Sequence, residues 1–151
     1  RGVSVEYAKK EVRRRTTLIG TLLLKFGYGD GLICGTYGMH RLHREFVEDV
    51  LGRREGVDHL YTVNLLSLPG RTLFLADTYV NYDPTPEQVV EMTLLAAEEM
   101  KRFGIEPRVA MLSYSTGTSG FGADVDKVRQ ATEIVRERRP DLLAEKPPTM
   151  P

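Results

Sequence analysis

The sequence contains one cysteine, Cys34, no tryptophan and no excess of either charge. A single cysteine excludes an internal disulfide, which fits a reducing cytoplasm. The 21 lysine and arginine residues balance 21 aspartate and glutamate residues, which argues against nucleic-acid binding driven by overall charge. No apolar run approaches the length of a membrane span, and we expect no signal peptide. The prediction is therefore a cytoplasmic protein without a membrane partner.

The chain also lacks an initiating methionine and begins instead at Arg1, within a charged helical pattern. That start predicts a piece of a longer protein, although 151 residues suffice for one domain with a sizeable core. Residues 1–15 hold six basic and two acidic side chains. We interpret them as a solvated helix face, with attraction of an anion as the alternative.

Apolar periodicity predicts alternating helices and strands. The helices are expected at residues 5–15, 18–26, 40–51, 86–103 and 124–138, and the strands at 32–34, 60–66, 72–76 and 108–112. A Pro69-Gly70 turn between two strands predicts an antiparallel hairpin. The sequence therefore predicts an α/β fold with a mixed sheet.

Three polar loops follow predicted strands. The 113–122 loop consists of Ser, Thr, Tyr and Gly residues as far as Gly120 and connects a strand to a helix. Glycines let backbone N–H groups approach a phosphate, and a helix N-terminus adds partial positive charge. The 35–38 and 77–81 loops would share the same sheet edge if their strands are parallel. The P-loop lysine is absent, so we expect a phosphorylated or acyl-carrying ligand that no nucleotide motif identifies.

Each loop also has a purely local interpretation. The 35–38 loop can be a tight turn, and Asp77 and Asn81 can be turn formers. His40 and His43 lie three residues apart without a third ligand, so we interpret them as surface histidines rather than a metal site. We expect Cys34 to be buried and inert. Ser113 has no assigned histidine partner, which disfavours a hydrolase triad.

The residues of these loops carry a family resemblance. The run Arg108-Val-Ala-Met-Leu-Ser-Tyr-Ser-Thr-Gly-Thr-Ser-Gly and residues 124–132 resemble the phosphate acetyl/butyryl transferases. Residues 30–36, 68–81 and 103–108 resemble one branch more closely, the C-terminal phosphotransacetylase-like domain of bacterial NADP-dependent malic enzymes. The resemblance extends over about residues 2–142. It implies a three-layer α/β/α fold with a mixed, mostly parallel sheet and one β-hairpin.

The resemblance also implies ligands and partners. Phosphotransacetylases move acetyl between coenzyme A and phosphate without a metal or a covalent enzyme intermediate, by positioning both substrates. In the malic enzymes the related domain senses acetyl-CoA and helps to assemble an oligomer. NADP and a divalent metal belong to a separate part, so we expect no cofactor in this domain. Acetyl-CoA or acyl phosphate as ligand and a homo-oligomer remain the expectations, and no catalytic residue is assigned. The predicted ligand-binding residues are Ser113, Ser115, Thr116, Gly117, Thr118, Ser119, Gly120, Gly35, Thr36, Asp77, Asn81 and Arg44.

The chain departs from the family pattern in three places. The family motif Asn-Asp-Leu-Ser-Arg-Gly, which supplies a catalytic Ser-Arg pair, does not occur before Pro151. The match of Arg44 to the family's phosphate-binding arginine is offset by one residue. The stretch from Ala144 to Pro147 also differs from the family sequence. We therefore expect a partial domain over residues 1–142, an irregular tail over 143–151, and sheet edges left exposed by missing strands.

Three functions remain open. The domain can be a regulatory acetyl-CoA-binding part of a malic enzyme, which is the preferred interpretation. It can instead be part of an active phosphate acetyltransferase, as its 113–122 loop indicates. The third possibility is an oligomerisation module that binds no ligand.

Overall fold

A computed structural model of the chain describes residues 2–115 and 119–145. The chain divides into two compact units, unit 1 (Arg1–Asp58) and unit 2 (His59–Pro151). The predicted domain boundary at residue 142 falls inside unit 2 and stays a prediction. Within the described residues, no helix combines the length and the apolar character that crossing a membrane requires.

Unit 1 contains three helices, α1 (Val5–Arg14), α2 (Thr16–Lys25) and α3 (His40–Leu51). The first begins where the sequence predicts, because the Ser4 side chain accepts a hydrogen bond from the Tyr7 backbone N–H. The third ends at Gly52, whose φ of 80° suits glycine at a helix terminus. Helix α2 packs against both α1 and α3.

Unit 1 has a polar interior. Its described residues in the buried class are Thr17 and Thr21, whereas every fully buried apolar side chain among the described residues belongs to unit 2. The Thr17 hydroxyl lies 2.6 Å from Nδ1 of His43 in α3. Lys25 donates to the Val50 carbonyl oxygen at 2.5 Å. Hydrogen bonds between α2 and α3 therefore add to the partial burial of apolar side chains in holding unit 1 together.

The predicted strand at residues 32–34 is wrong. Residues 31–35 have no regular secondary structure, the Ile33 side chain is fully exposed, and Cys34 is exposed rather than buried. A strand forms only where a neighbouring strand accepts its hydrogen bonds. The described residues of unit 1 contain helices and loops but no strand, so this short apolar run has nothing to pair with.

Unit 2 contains β1 (Val63–Leu68), β2 (Arg71–Ala76), α4 (Pro86–Arg102), β3 (Arg108–Ala110), α5 (Ala123–Arg138) and β4 (Leu143–Glu145). The predicted hairpin is confirmed, since β1 and β2 pair antiparallel from Val63 opposite Ala76 to Leu68 opposite Arg71. The predicted start of α4 is also confirmed. Thr85 and Gln88 form a reciprocal capping box, with Pro86 at the first helical position.

The core of unit 2 lies between α4, α5 and the residue before β4. Its fully buried apolar side chains are Val90, Ala97, Ala131, Val135 and Leu142. Burial of a valine or leucine side chain stabilises a fold by roughly 1.5–3 kcal/mol. This cluster is therefore the main apolar contribution to the stability of unit 2.

The sheet differs from the predicted one. Among the described residues the strands form two separate pairs, the antiparallel hairpin and a parallel pair of β3 with β4, rather than one mixed sheet. Strand β3 ends at Ala110 instead of residue 112, and only its Val109 is half-buried. The tail was expected to be irregular from residue 143, but its first three residues form β4. The remaining tail residues, 146–151, lie outside the described residues.

The two faces of the hairpin have different surroundings. Phe74 on one face packs edge-on against Phe103, with ring centroids 5.6 Å apart. Alternate residues of a strand point the same way, so four leucines share the opposite face. Each of them is at least a third exposed. These residues are Leu66, Leu68, Leu73 and Leu75.

Candidate functional site

The 113–122 loop closes on itself through its own hydroxyl groups. The Ser115 Oγ accepts a hydrogen bond from the Gly120 N–H at 2.7 Å, and the Tyr114 hydroxyl donates to the Phe121 carbonyl at 2.9 Å. The Ser113 Oγ accepts from the Ser115 N–H and donates to the Ser115 carbonyl. These bonds fix both described ends of the loop. Thr116, Gly117 and Thr118, all predicted ligand residues, lie outside the described residues.

Glycine is required at two positions of this loop. A Cβ atom at Gly120 would lie 2.3 Å from the Cβ and Oγ of Ser115, which is only 8% exposed. A Cβ atom at Gly122 would lie 2.6 Å from the Tyr114 hydroxyl, and the φ of Gly122 is 134°. The glycines therefore permit close packing within the loop. The N–H of Gly120 is already bonded to Ser115, so it is not available to cradle a ligand in this conformation.

The helix after the loop begins with negative charge. Asp124 and Asp126 occupy the first turn of α5, and both are largely exposed. Carboxylates there interact favourably with the helix dipole and oppose a second anion. Lys127 donates to Asp83 at 2.5 Å and lies 3.1 Å from the Asp124 carboxylate. The hydrogen bond to Asp83 raises the pKa of Lys127 above its ordinary value, with Asp124 as the second cause.

The 77–81 loop is a tightly bonded turn. Asp77 has a φ of 47°, in the left-handed region. Its Oδ2 accepts from the Asn81 N–H at 3.0 Å and from the Asn81 side-chain amide at 2.7 Å, and its Oδ1 faces the N–H and hydroxyl of Thr62. The Asn81 amide also donates to the Leu60 carbonyl at 3.0 Å. Asp77 and Asn81 thus fasten the end of β2 to the segment before β1, which matches the turn-forming interpretation.

In unit 1 the 35–38 loop leads into α3 and borders a small cavity. Gly35, Thr36 and Gly38 all have positive φ angles, of 126°, 66° and 98°. The Tyr37 carbonyl lies 2.9 Å from Nε2 of His43. Since a carbonyl only accepts, Nε2 carries the proton and Nδ1 of neutral His43 accepts from the Thr17 hydroxyl. His43 is therefore a half-buried bridge between a loop and two helices rather than a freely solvated side chain, whereas His40 is exposed, as predicted.

The cavity beside this bridge has a volume of about 120 Å³ and lies entirely in unit 1. Apolar side chains of α3 and the preceding residue contribute much of its wall, and His43 and Thr17 contribute polar groups. The lining includes Met39, Leu42, Phe46, Tyr37 and Gly38, together with Arg14 and Arg15 at the junction of α1 and α2. The structure thus places Tyr37 and Gly38 at a concave surface, whereas the predicted ligand residues Gly35 and Thr36 do not line it.

Arg44 lies on α3 and is partly buried. Its Nε atom is inaccessible to solvent and has no hydrogen-bond partner among the described residues. A buried donor without a partner costs about 1–3 kcal/mol. Arg44 does not line the cavity described above, and its role as an anion-binding residue stays a prediction.

A second polar cluster, which no motif in the sequence indicates, lies in unit 2. Glu91 on α4 accepts from the Tyr61 hydroxyl at 2.6 Å and faces Nδ1 of His59 at 3.2 Å. Glu91 lies 30 residues beyond Tyr61 and 32 beyond His59 in the chain, and no motif joins it to them. Among the described residues, no cluster of three or more His, Cys, Asp or Glu side chains is suited to a metal ion.

Comparison with known proteins identifies the family. The family model described as phosphate acetyl/butaryl transferase matches residues 1–147. An NADP-dependent malic enzyme from Escherichia coli is 46% identical over 143 residues, 95% of this chain. A phosphate acetyltransferase from Haemophilus influenzae is 40% identical over 142 residues, 94% of this chain.

The fold agrees with these sequence matches. A phosphotransacetylase structure from Streptococcus pyogenes superposes with a TM-score of 0.78 at 31% identity, over 94% of this chain and 44% of that one. The chain spans only 19% and 20% of the lengths of the malic enzyme and the acetyltransferase it matches. A family match across nearly all residues, supported by the fold, shows that this chain belongs to the phosphate acetyl/butyryl transferase family.

Proposed function

We propose that this chain is an acetyl-CoA-binding, phosphotransacetylase-like domain with a regulatory and oligomerising role in an NADP-dependent malic enzyme that also decarboxylates oxaloacetate. The observation that carries the proposal is the higher identity to NADP-dependent malic enzymes than to phosphate acetyltransferases over the same residues. NADP and a divalent metal would act in another part of that longer protein.

The local geometry supports a binding role for unit 1. The hydroxyls of Ser113 and Ser115 are bonded to the backbone of their own loop, which disfavours a serine nucleophile activated by a histidine but leaves catalysis by positioning of substrates open. The cavity in unit 1 offers Thr17, His43 and apolar walls beside two arginines. Such a surface suits a ligand that carries both an anionic group and a less polar arm.

A complete fold would place the described strands in a larger sheet. In the longer protein we expect a three-layer α/β/α arrangement with a mostly parallel sheet, to which the hairpin and the β3–β4 pair contribute. Its further strands would pair with the exposed strand edges, and its helices would cover the exposed leucines of the hairpin. Its homo-oligomeric state belongs to the same proposal.

The second candidate is part of a catalytic phosphate acetyltransferase that moves acetyl between coenzyme A and phosphate. Identity of 40% to phosphate acetyltransferases over nearly the whole chain favours it. The coding sequence discriminates between the two candidates. A malic-enzyme module upstream supports the regulatory domain, whereas a Ser-Arg motif downstream without that module supports the acetyltransferase.

The biochemical test is calorimetric titration of the 151-residue chain with acetyl-CoA, followed by an assay of acetyl transfer from acetyl phosphate to coenzyme A. The regulatory proposal predicts micromolar binding, about −8 kcal/mol, without transfer. Arg44→Gln should weaken binding about tenfold. Arg41→Gln, on the same helix but exposed and paired with Glu45, serves as the matched control. Transfer activity would support the second candidate, and a folded chain that releases no heat would overturn both in favour of a module without a ligand.

A further inference from the structure

Helix α1 has one strongly cationic face. Lys9, Lys10, Arg13 and Arg14 line an open concavity together with Glu6, and all of these side chains are exposed. They lie together because residues three, four and seven apart share a face of a helix. Four cations therefore face one carboxylate over about two turns.

These four cations differ from three other arginines of unit 1. Arg15 is paired with Glu11, Arg41 with Glu45, and Arg53 with Glu48. The structure shows no ion pair between Lys9, Lys10, Arg13 or Arg14 and a described residue. Like charges on adjacent turns repel one another, and a bound anion would relieve that repulsion.

The cationic face is continuous with the smaller cavity of unit 1. Arg14 lines both the open concavity of α1 and the cavity of about 120 Å³ that Leu42 and Phe46 help to enclose. The charged surface is thus joined to a less polar recess. A ligand that matches both has phosphate groups at one end and a mostly uncharged arm at the other.

We propose that the α1 face binds the phosphate groups of an acyl-CoA ligand, with its uncharged arm directed toward the smaller cavity. This assignment rests on the proposed function and adds to it the residues that hold the phosphates. The overall charge of the chain is zero, so the attraction is confined to this face and suits a small polyphosphate more than a long nucleic acid. The Glu6 carboxylate at the N-terminal end of the face opposes the anion, so Glu6→Gln should tighten binding.

The test compares two double variants with the same loss of charge. Lys10→Gln with Arg13→Gln removes two cations from the face without altering the wall of the smaller cavity, whereas Arg41→Gln with Arg53→Gln removes two paired cations elsewhere in unit 1. Glutamine has nearly the helix propensity of lysine and arginine, so α1 should persist, as far-ultraviolet circular dichroism would verify. The probes are acetyl-CoA, adenosine 3′,5′-bisphosphate and S-acetylpantetheine, which carries no phosphate.

The first double variant should bind acetyl-CoA and the bisphosphate about tenfold more weakly, with a smaller dependence on salt, and the control should bind as the unaltered chain does. Binding of S-acetylpantetheine should be the same in all three proteins. Equal binding of acetyl-CoA by both double variants would overturn the assignment and leave the proposed function intact. Loss of bisphosphate binding only in the first variant would support the assignment of the phosphate-binding residues. If the unaltered chain then bound acetyl-CoA no more tightly than the bisphosphate, specific recognition of acetyl-CoA would be refuted. An unaltered chain that binds none of the probes would refute both.

Discussion

Thr17→Val tests whether the Thr17–His43 hydrogen bond holds unit 1 together. The side chain of Thr17 is only 4% exposed, and its hydroxyl lies 2.6 Å from Nδ1 of His43. Valine has the same shape, so the change removes the hydroxyl without opening a cavity. Thr21→Val is the matched control, because Thr21 is fully buried on the same helix but donates to the Leu18 carbonyl at 3.0 Å.

The two substitutions should differ by about 1.5 kcal/mol. Each replaces a hydroxyl by a methyl group, which gains roughly 0.8 kcal/mol of apolar burial, and each loses a hydrogen bond worth about 1 kcal/mol. Thr21→Val should therefore be nearly neutral, since the Leu18 carbonyl keeps its helical N–H donor. Thr17→Val additionally leaves Nδ1 of His43 unpaired, which costs a further 1–3 kcal/mol.

Amide hydrogen exchange measures the effect in unit 1 separately from unit 2. A loss of about 1.4 kcal/mol is a tenfold change in an equilibrium constant, so the amides of α2 and α3 should exchange about tenfold faster in Thr17→Val. Those of α4 and α5 should be unchanged. In a His43→Leu background, Thr17→Val should lose its extra cost. Equal exchange rates in Thr17→Val and Thr21→Val would refute the reasoning.

Three further changes test unit 2. Gly120→Ala should destabilise the 113–122 loop by about 1–3 kcal/mol through the clash with Ser115, and Ser115→Gly should restore part of that loss in urea denaturation followed by circular dichroism. The hydrogen bond from Arg139 lowers the pKa of Asp141 to about 2 from 3.8, so this pair stabilises the fold above about pH 4 and loses its effect between pH 4 and 2. Carbon-detected NMR titration should find that midpoint, and Arg139→Gln should move it toward 3.8; an unmoved midpoint would contradict the assigned cause. Val135→Ala, at a fully buried site, should cost about 1.5–3 kcal/mol in the same denaturation assay, and a cost near zero would mean that this cluster is not the core.

Local signals in the sequence predicted local structure well. Ser4, Thr85 and Gly52 define helix ends by hydrogen bonds within a few residues, and the structure has those ends. Pro69 and Gly70 define the hairpin turn for the same reason. Such signals depend on backbone and side-chain atoms that are neighbours in sequence, so a single chain displays them fully.

Non-local pairing could not be predicted from the sequence. The apolar run that contains Ile33 is typical of a strand, but a strand forms only beside a partner strand. The described residues of unit 1 contain no such partner strand. The sequence does not reveal the hydrogen bonds of His43, because they run to Thr17, on another helix, and to the Tyr37 carbonyl in the preceding loop. The cluster of His59, Tyr61 and Glu91 has no sequence signature, since only the fold brings Glu91 to the other two residues.

The sequence indicated the individual loops of the candidate site, but not how those loops are arranged in the fold. The 35–38 loop does border a cavity, but it follows an irregular segment instead of a strand. Asp77 was predicted to be a ligand residue or a turn former, and its bonds to Thr62 and Asn81 match the second. Whether any of the predicted residues contacts a ligand stays a prediction, which the binding experiments test.

The two strand pairs of unit 2 imply an order of folding events. The hairpin joins residues that are close in the chain, so its register can form within microseconds of collapse. The pairing of Arg108 with Leu143 must instead wait until α5 has formed and returned the chain to β3. We therefore expect the β3–β4 pair to form last, and mutations there to speed unfolding while they leave the folding rate nearly unchanged.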